Sequence, residues 1–168
     1  MNLKYQQLIA LFKLEPHPEG GFFRETYRSE ECVAAAGLPG RFGAARSFST
    51  AIYYLLPGGV KSHIHRIRSD ELWHFYLGGP LELIQISPDG AVKETVMGHE
   101  IESGQQVQCI VPAGWWFGAI PKPGSDYSFV GCTVAPGFDF ADFEMGDRAR
   151  LINMFPAASV EIERLTKK

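Results

Sequence analysis

Two histidines and one glutamate have the types and spacing best suited to chemistry. His63 and His65 lie two residues apart in a short strand-like segment, and Glu71 opens the next such segment. Residues i and i+2 of a β-strand point to the same face, so both imidazoles can act on one ligand. With a carboxylate they suit a first-row transition metal, or metal-free acid–base work by a histidine that the carboxylate orients. We predict that His63, His65 and Glu71 form a catalytic cluster, which is also a metal site if a metal is bound.

Aromatic residues follow Glu71 along its predicted strand. Strict alternation puts Trp73 and Phe75 on the same side as Glu71, and His74 on the other side. Trp73 and Phe75 either form a stacking wall for a sugar, a nucleobase or another planar ligand, or fill the interior of a small barrel. His74 is a secondary ligand-binding candidate, because a β-bulge would turn it inward.

Other positions complete the predicted ligand-binding set. Trp115 and Phe117 alternate in a later strand and share the cavity side. Tyr53 and Tyr54 are adjacent, so one of them faces inward, where its phenol can donate a proton. Arg24, in the first predicted strand, either forms an ion pair at a sheet edge or contacts the ligand.

A series of short strands must position these side chains. Apolar and β-branched runs between Gly, Pro and Asp turns predict strands over 20–29, 47–56, 60–66, 71–77, 81–87, 92–98, 106–111, 115–120 and 128–135. Helical spacing predicts a short N-terminal helix over 5–14, with helical turns at 148–155 and 160–165. Segment 31–46 is either a short helix or a flexible loop. This pattern favours an all-β antiparallel sandwich or barrel with short terminal helices.

Charge and cysteine content limit the partners and the compartment. The 168 residues include 16 basic and 19 acidic ones without a Lys or Arg cluster, which argues against nucleic acid or a membrane surface as partner. Three cysteines without a CxxC pair predict reduced thiols rather than a disulfide framework. The chain shows no signal-peptide pattern and no apolar run near the roughly 18 residues of a membrane span. We therefore expect one soluble, cytoplasmic domain over residues 1–168.

The segment Gly58–Gly78 resembles the first conserved motif of the cupin superfamily. That motif contains a glycine, a His-x-His pair, a glutamate and a further glycine, and all of them are present here. The gap between His65 and Glu71 is one residue longer than in the usual pattern. Three further segments, 18–29, 69–75 and 134–143, resemble one cupin-like branch, a family named for a domain of unknown function.

The second cupin motif is only partly matched. Gly104 and the turn Pro112–Gly114 resemble it, but the histidine expected two residues beyond that turn is missing. Trp115, Trp116 and Phe117 follow instead, so the resemblance implies that Phe117 stands where the fourth usual metal ligand would lie. An aromatic ring there would block coordination and exclude water from the site.

The resemblance implies a double-stranded β-helix, or jelly-roll barrel, with its core over about residues 20–143. It also implies a homodimer, and it leaves three functions open. The first is a small-molecule-binding cupin that needs no cofactor and acts on a sugar or nucleotide derivative by isomerase-like or epimerase-like chemistry. The second is a metal-dependent dioxygenase or isomerase, in which His63, His65 and Glu71 hold a divalent transition metal. The third is a non-enzymatic binding or storage barrel.

Overall fold

The computed structural model describes residues 3–167, which contain three α-helices and a series of short strands. The helices are α1 (Tyr5–Phe12), α2 (Arg148–Met154) and α3 (Ser159–Leu165). The strands are β1 (Glu15–Pro16), β2 (Phe22–Arg28), β3 (Cys32–Val33), β4 (Arg46–Ser47), β5 (Thr50–Pro57), β6 (Ser62–Arg66), β7 (Asp70–Gly78), β8 (Leu81–Ile86), β9 (Val92–Met97), β10 (Gln108–Val111), β11 (Trp116–Pro121), β12 (Tyr127–Ala135) and β13 (Glu144–Met145).

The strands form two large sheets and one small one. The larger sheet has the order β1-β2-β5-β12-β7-β10, and the second has the order β13-β6-β11-β8-β9. Strands β3 and β4 pair separately, and between them residues Ala35–Gly37 form a 3-10 turn, so segment 31–46 is neither a regular helix nor a bare loop. The strand pairs are antiparallel. The predicted all-β class with short terminal helices is confirmed.

The side-chain alternation of β8 shows how the layers pack. Leu81 and Leu83 point into the main core between the two large sheets. Ile84 and Ile86 point the other way, into a second core that α2 and α3 cover. Both faces of the strand are therefore buried, and four of its six residues are apolar.

Helix α1 covers part of the outer face of the six-stranded sheet. Leu8 packs there against Leu55 and Phe129 in a third apolar cluster. None of the helices within residues 3–167 is long and apolar enough to span a lipid bilayer. All three cysteines are free thiols, as their number and spacing predict.

Candidate functional site

A cavity of about 270 Å³ opens at one end of the space between the two large sheets. Its polar lining includes Glu19, Tyr54, His65 and Glu71, all of them buried. Its aromatic walls are the side chains of Phe23, Phe138, Phe140 and Phe143. The cavity therefore combines a few converging polar groups with an apolar wall, which is the usual composition of a small-molecule site.

His65 is held in one orientation and one tautomer. Its Nδ1 lies 2.7 Å from the backbone carbonyl oxygen of His63, which can only accept a hydrogen bond, so Nδ1 carries a proton. The ring lies between two phenylalanines, with centroid distances of 4.1 Å to Phe117 and 5.2 Å to Phe143. These contacts leave only Nε2 available for proton transfer.

Glu19 is the partner of that nitrogen. Its Oε2 lies 3.1 Å from His65 Nε2, and both side chains are almost completely buried. Because Nδ1 already carries a proton, the Nε2–Oε2 contact needs a second proton, either on the imidazole or on the carboxyl group. The Ser62 hydroxyl donates a hydrogen bond of 2.8 Å to the other carboxyl oxygen. Glu19 and His65 therefore form a proton-sharing pair with a fixed geometry.

The turn before β2 brings Glu19 into the site. The Glu19 carbonyl accepts a hydrogen bond of 2.8 Å from the backbone N–H of His63, which ties the turn to β6. The next residue, Gly20, has a φ of +115°, and a side chain there would collide with the carbonyl oxygen of Lys61. His17 lies on the other side of Glu19, and burial lowers the pKa of its imidazole.

Our sequence analysis assigned no role to Glu19. It lies in a loop, where neither the helical nor the strand period predicts the direction of a side chain. The available signal was an acidic residue directly before two glycines and an aromatic strand.

Glu71 supplies a second carboxyl group to the cavity. Burial raises its pKa from an ordinary 4.5 to about 8, and the nearby charge of Glu19 adds to the rise. Contacts with the Cys132 thiol and the Trp73 indole N–H lower it only in part. Glu71 is therefore mainly a neutral acid at pH 7, able to donate a proton.

His63 does not share the cavity with His65, so the prediction that both imidazoles point inward is wrong. A register shift between β6 and β11 pairs His65 with Phe117, but Ser62 with Ala119. The extra residue in β6 breaks the strict alternation, so that Ser62 and His65 both face inward. The His63 ring lies outside, with its Nδ1 3.0 Å from the Leu165 carbonyl oxygen at the end of α3.

The predicted set of metal ligands is consequently not assembled. His63 is outside, and His65 has both ring nitrogens engaged, Nδ1 by the His63 carbonyl oxygen and Nε2 by Glu19. In the part of the chain that the structure describes, no group of three or more His, Cys, Asp or Glu side chains is arranged to hold a metal ion. Coordination requires donors that converge on one point, and His63, His65 and Glu71 do not converge.

The predicted aromatic residues fill the interior rather than line the cavity. Trp73, Phe75 and Phe117 are buried in the main core, and Trp115 packs at its edge. Of the two interpretations of Trp73 and Phe75, the structure supports packing. His74 lies on the outer face of the sheet, where its Nε2 is 3.1 Å from the Thr133 hydroxyl.

Tyr54, and not Tyr53, is the tyrosine that faces inward. Its hydroxyl donates a hydrogen bond of 2.7 Å to the Gly20 carbonyl oxygen, and burial raises its pKa far above the usual range. Tyr53 points outward and packs against Phe12 of α1. The assignment of Tyr53 as a ligand-binding residue is therefore wrong, because neighbouring residues of a strand face opposite sides.

Arg24 also lies on the outer face, where its Nη1 donates to the Phe12 carbonyl oxygen at 3.1 Å. Its assignment as a ligand-binding residue is therefore not supported by its position. Glu25 faces the cavity instead, on the same side of β2 as Phe23, and a bulge after Glu25 brings Arg28 to that side as well. These two side chains form an ion pair of 2.7 Å beside the cavity mouth.

A buried ion pair anchors the aromatic segment 138–143 over the cavity. Arg46 donates to both carboxylate oxygens of Asp142, at 2.6 and 2.7 Å, and both side chains are almost completely buried. Asp142 directly precedes Phe143, whose ring contacts His65. The ion pair thus positions one wall of the site.

Comparisons with known proteins agree with this architecture. The family model described as "Cupin superfamily (DUF985)" matches residues 6–146. An uncharacterized protein of Saccharomyces cerevisiae is 32% identical over 146 residues, which cover 82% of this chain and 72% of the yeast protein.

Solved structures show the same relationship. A hypothetical protein from Leishmania major is 32% identical, with a TM-score of 0.89 over 99% of this chain and 100% of that one. A protein from Shewanella oneidensis is 34% identical, with a TM-score of 0.88 over 99% of each chain. Oxalate decarboxylase from Bacillus subtilis shares the fold alone, with 13% identity and a TM-score of 0.54 over 91% of this chain and 37% of that one. The chain therefore has a cupin fold and belongs to the cupin superfamily, in the family described as DUF985.

Proposed function

We propose that the cavity binds a small organic molecule and transfers a proton on it, in the manner of an isomerase or epimerase. The observation that carries this proposal is the pairing of Glu19 with a His65 ring whose tautomer is fixed, in the same cavity as a neutral Glu71. Titratable groups whose environments give them opposite protonation states are the arrangement that acid–base catalysis needs.

The two halves of the site have distinct roles. The Glu19 carboxyl oxygen Oε2, which lies 3.1 Å from His65 Nε2, can accept a proton from a C–H bond next to a carbonyl group of the ligand. The protonated Glu71 carboxyl group donates a proton to the oxygen of that carbonyl group, and this proton transfer stabilises the enol that forms. Returning a proton to that carbon from the opposite face, and the oxygen proton to Glu71, inverts the carbon and completes an epimerisation with no net oxidation or reduction.

The volume and the walls of the cavity limit the size and the shape of the ligand. A volume of about 270 Å³ lies just below the usual range for ligand pockets, so the part of the ligand inside is small. Four phenylalanine side chains favour a ring or another planar group, in agreement with a sugar or nucleotide derivative. The candidate metal ligands do not converge, so they offer no support for the metal-dependent alternative. Chemical conversion of a bound compound would distinguish an enzyme from a non-enzymatic binding barrel.

A thermal-shift screen of nucleotides, nucleotide sugars and organic acids tests the binding site. Ligands that bind the native state stabilise it by a free energy that grows with the logarithm of their concentration divided by Kd, and they raise the melting temperature accordingly. We expect a compound that stabilises the wild type to lose most of its effect in His65→Ala and to keep it in His63→Ala. His63 is a matched control, because it is a histidine of the same strand that lies outside the cavity. A compound whose effect survives in His65→Ala binds elsewhere and contradicts the assignment of the cavity.

We also propose that two copies pair through the outer face of the six-stranded sheet that α1 leaves uncovered. Ile110 lies there beside Leu72 on the edge strand β10 and is 53% exposed. Exposed apolar side chains on an edge strand favour burial against another sheet. Light scattering at micromolar concentration should give the mass of a dimer, and Ile110→Lys should shift it toward the monomer. A wild-type monomer under these conditions would contradict the proposal.

A further inference from the structure

A second pocket, with a volume of about 340 Å³, lies directly beside the cavity. Arginines 41, 66 and 68 line it. Ile67 and Phe143 line both this arginine pocket and the cavity, so the two are separated only by a shared wall. A ligand that fills the cavity can therefore place another of its groups among the arginines.

Several cations near the two pockets are already paired within the protein. Arg66 donates to Glu144 at 2.7 Å, and Arg46 holds Asp142 with two hydrogen bonds. At the cavity mouth, Arg28 donates to Glu25 and to the Phe138 carbonyl oxygen. These guanidinium groups are neutralised by their partners, so they contribute little to the capture of an anion.

Arg41 and Arg68 differ, because they hold each other through the backbone. Arg41 Nε donates to the Arg68 carbonyl oxygen at 2.7 Å, and Arg68 Nη1 donates to the Arg41 carbonyl oxygen at 2.7 Å. In residues 3–167, neither Nη group of Arg41 has a hydrogen-bond partner, and the same is true of Nε and Nη2 of Arg68. The nearest carboxylate oxygen to Arg68 is 3.7 Å away on Asp142, which Arg46 already binds.

Two fixed positive groups with unused donors form a binding site for an oxyanion. Guanidinium groups recognise phosphate and carboxylate oxygens by paired hydrogen bonds. Because the backbone carbonyls fix both side chains before a ligand arrives, less conformational entropy is lost on binding. The two side chains also repel each other, and an anion between them removes that repulsion.

We propose that Arg41 and Arg68 bind the phosphate or carboxylate group of the ligand whose uncharged part occupies the cavity. This inference rests on the proposed function and narrows its substrate class to organic anions. Phe143 separates the two parts of the ligand, since it lines both pockets.

Titration of the full chain with inorganic phosphate and, separately, with acetate tests the anion site at constant ionic strength. Nuclear magnetic resonance of the arginine Nε–H groups reports on each guanidinium. We expect saturable shifts at Arg41 and Arg68, and the tighter of the two anions identifies a phosphoryl or a carboxylate group. Shifts that do not saturate, or that are no larger than those of Arg24 on the outer face, would overturn the proposal.

Matched variants show whether anion binding depends on Arg41 and Arg68. The double variant Arg41→Gln/Arg68→Gln should weaken binding of the preferred anion by at least about tenfold, because two charge-assisted contacts are lost. Arg24→Gln removes an arginine from the opposite face of the sheet and should change binding by less than about twofold. Equal affinity in the double variant and in Arg24→Gln would refute the site.

Failure of the anion site and failure of the proposed function give different results. If a His65-dependent ligand is found and neither anion binds at the arginines, the anion site fails and the acid–base cavity stands. If the anion binds at Arg41 and Arg68 and no ligand depends on His65, the anion site stands and the proposed function fails.

Discussion

Replacing Glu71 with glutamine should make the protein more stable at pH 9 than the wild type, and about equally stable at pH 5. A carboxyl group whose pKa is raised to about 8 binds a proton in the folded state that the unfolded chain releases near pH 4.5. Its contribution to the free energy of unfolding is therefore complete below pH 4.5 and is lost as the pH rises to about 8. The shift corresponds to about 3–5 kcal/mol, whereas glutamine stays neutral throughout.

Urea denaturation at pH 5 and pH 9 measures the difference. Glu102→Gln is the matched control, because Glu102 is an exposed glutamate and should show the same pH dependence as the wild type. If Glu71→Gln and wild type differed by the same amount at both pH values, Glu71 would titrate normally and could not serve as a neutral acid.

Replacing Asp142 with alanine should cost about 3–5 kcal/mol of unfolding free energy, because it leaves the Arg46 guanidinium buried without a counter-charge. The wall that Asp142 anchors should also loosen, since Phe143 follows it directly and contacts His65. Glu144→Ala breaks ion pairs with Arg66 and Arg150 that are partly exposed, and it should cost less than about 1 kcal/mol.

The double variant Arg46→Met/Asp142→Leu distinguishes the contribution of charge to the free energy of unfolding from that of side-chain packing. Removing both charges takes away the desolvation cost of the pair, so this variant should recover a large part of the stability that Asp142→Ala loses. The measurement is again denaturation by urea at pH 7. A loss below about 1 kcal/mol for Asp142→Ala would show that the pair does not hold the segment.

Most of the fold could be predicted from the sequence, because the strands carry clear local signals. The turn Pro88-Asp89-Gly90 closes the alternating run that became β8, and Pro57-Gly58-Gly59 marks the end of β5. The motifs that resemble those of cupins predict the architecture of the whole domain, and the family model matches residues 6–146.

The candidate site was predicted only in part, and the errors concern the direction of side chains on strands. Period-2 counting assumes an uninterrupted strand, whereas β6 contains an extra residue that turns His63 outward while His65 stays inside. A bulge after Glu25 likewise brings Arg28 to the cavity side, whereas Arg24 was misassigned because the sequence of β2 does not show which of its faces is the inner one. Bulges depend on the partner strand, so one segment by itself does not reveal them.

Glu19 was missed for a different reason. Its side chain direction is set by a turn that is anchored to β6 by hydrogen bonds to residues more than 40 positions away in the sequence, the Ser62 hydroxyl and the His63 backbone N–H. The raised pKa of Glu71 likewise arises from burial in the assembled cavity, which no local pattern encodes.

Exchange of hydrogen for deuterium at a carbon of the bound ligand tests the central claim most directly. Compounds that stabilise the protein through His65 are incubated with it in D₂O and followed by nuclear magnetic resonance. The account predicts deuterium at a carbon next to a carbonyl group with the wild type and with His63→Ala, and at least about a hundredfold slower exchange with His65→Ala and Glu71→Gln. Bound compounds that exchange no hydrogen, or exchange that is as fast in His65→Ala and Glu71→Gln as in the wild type, would contradict it.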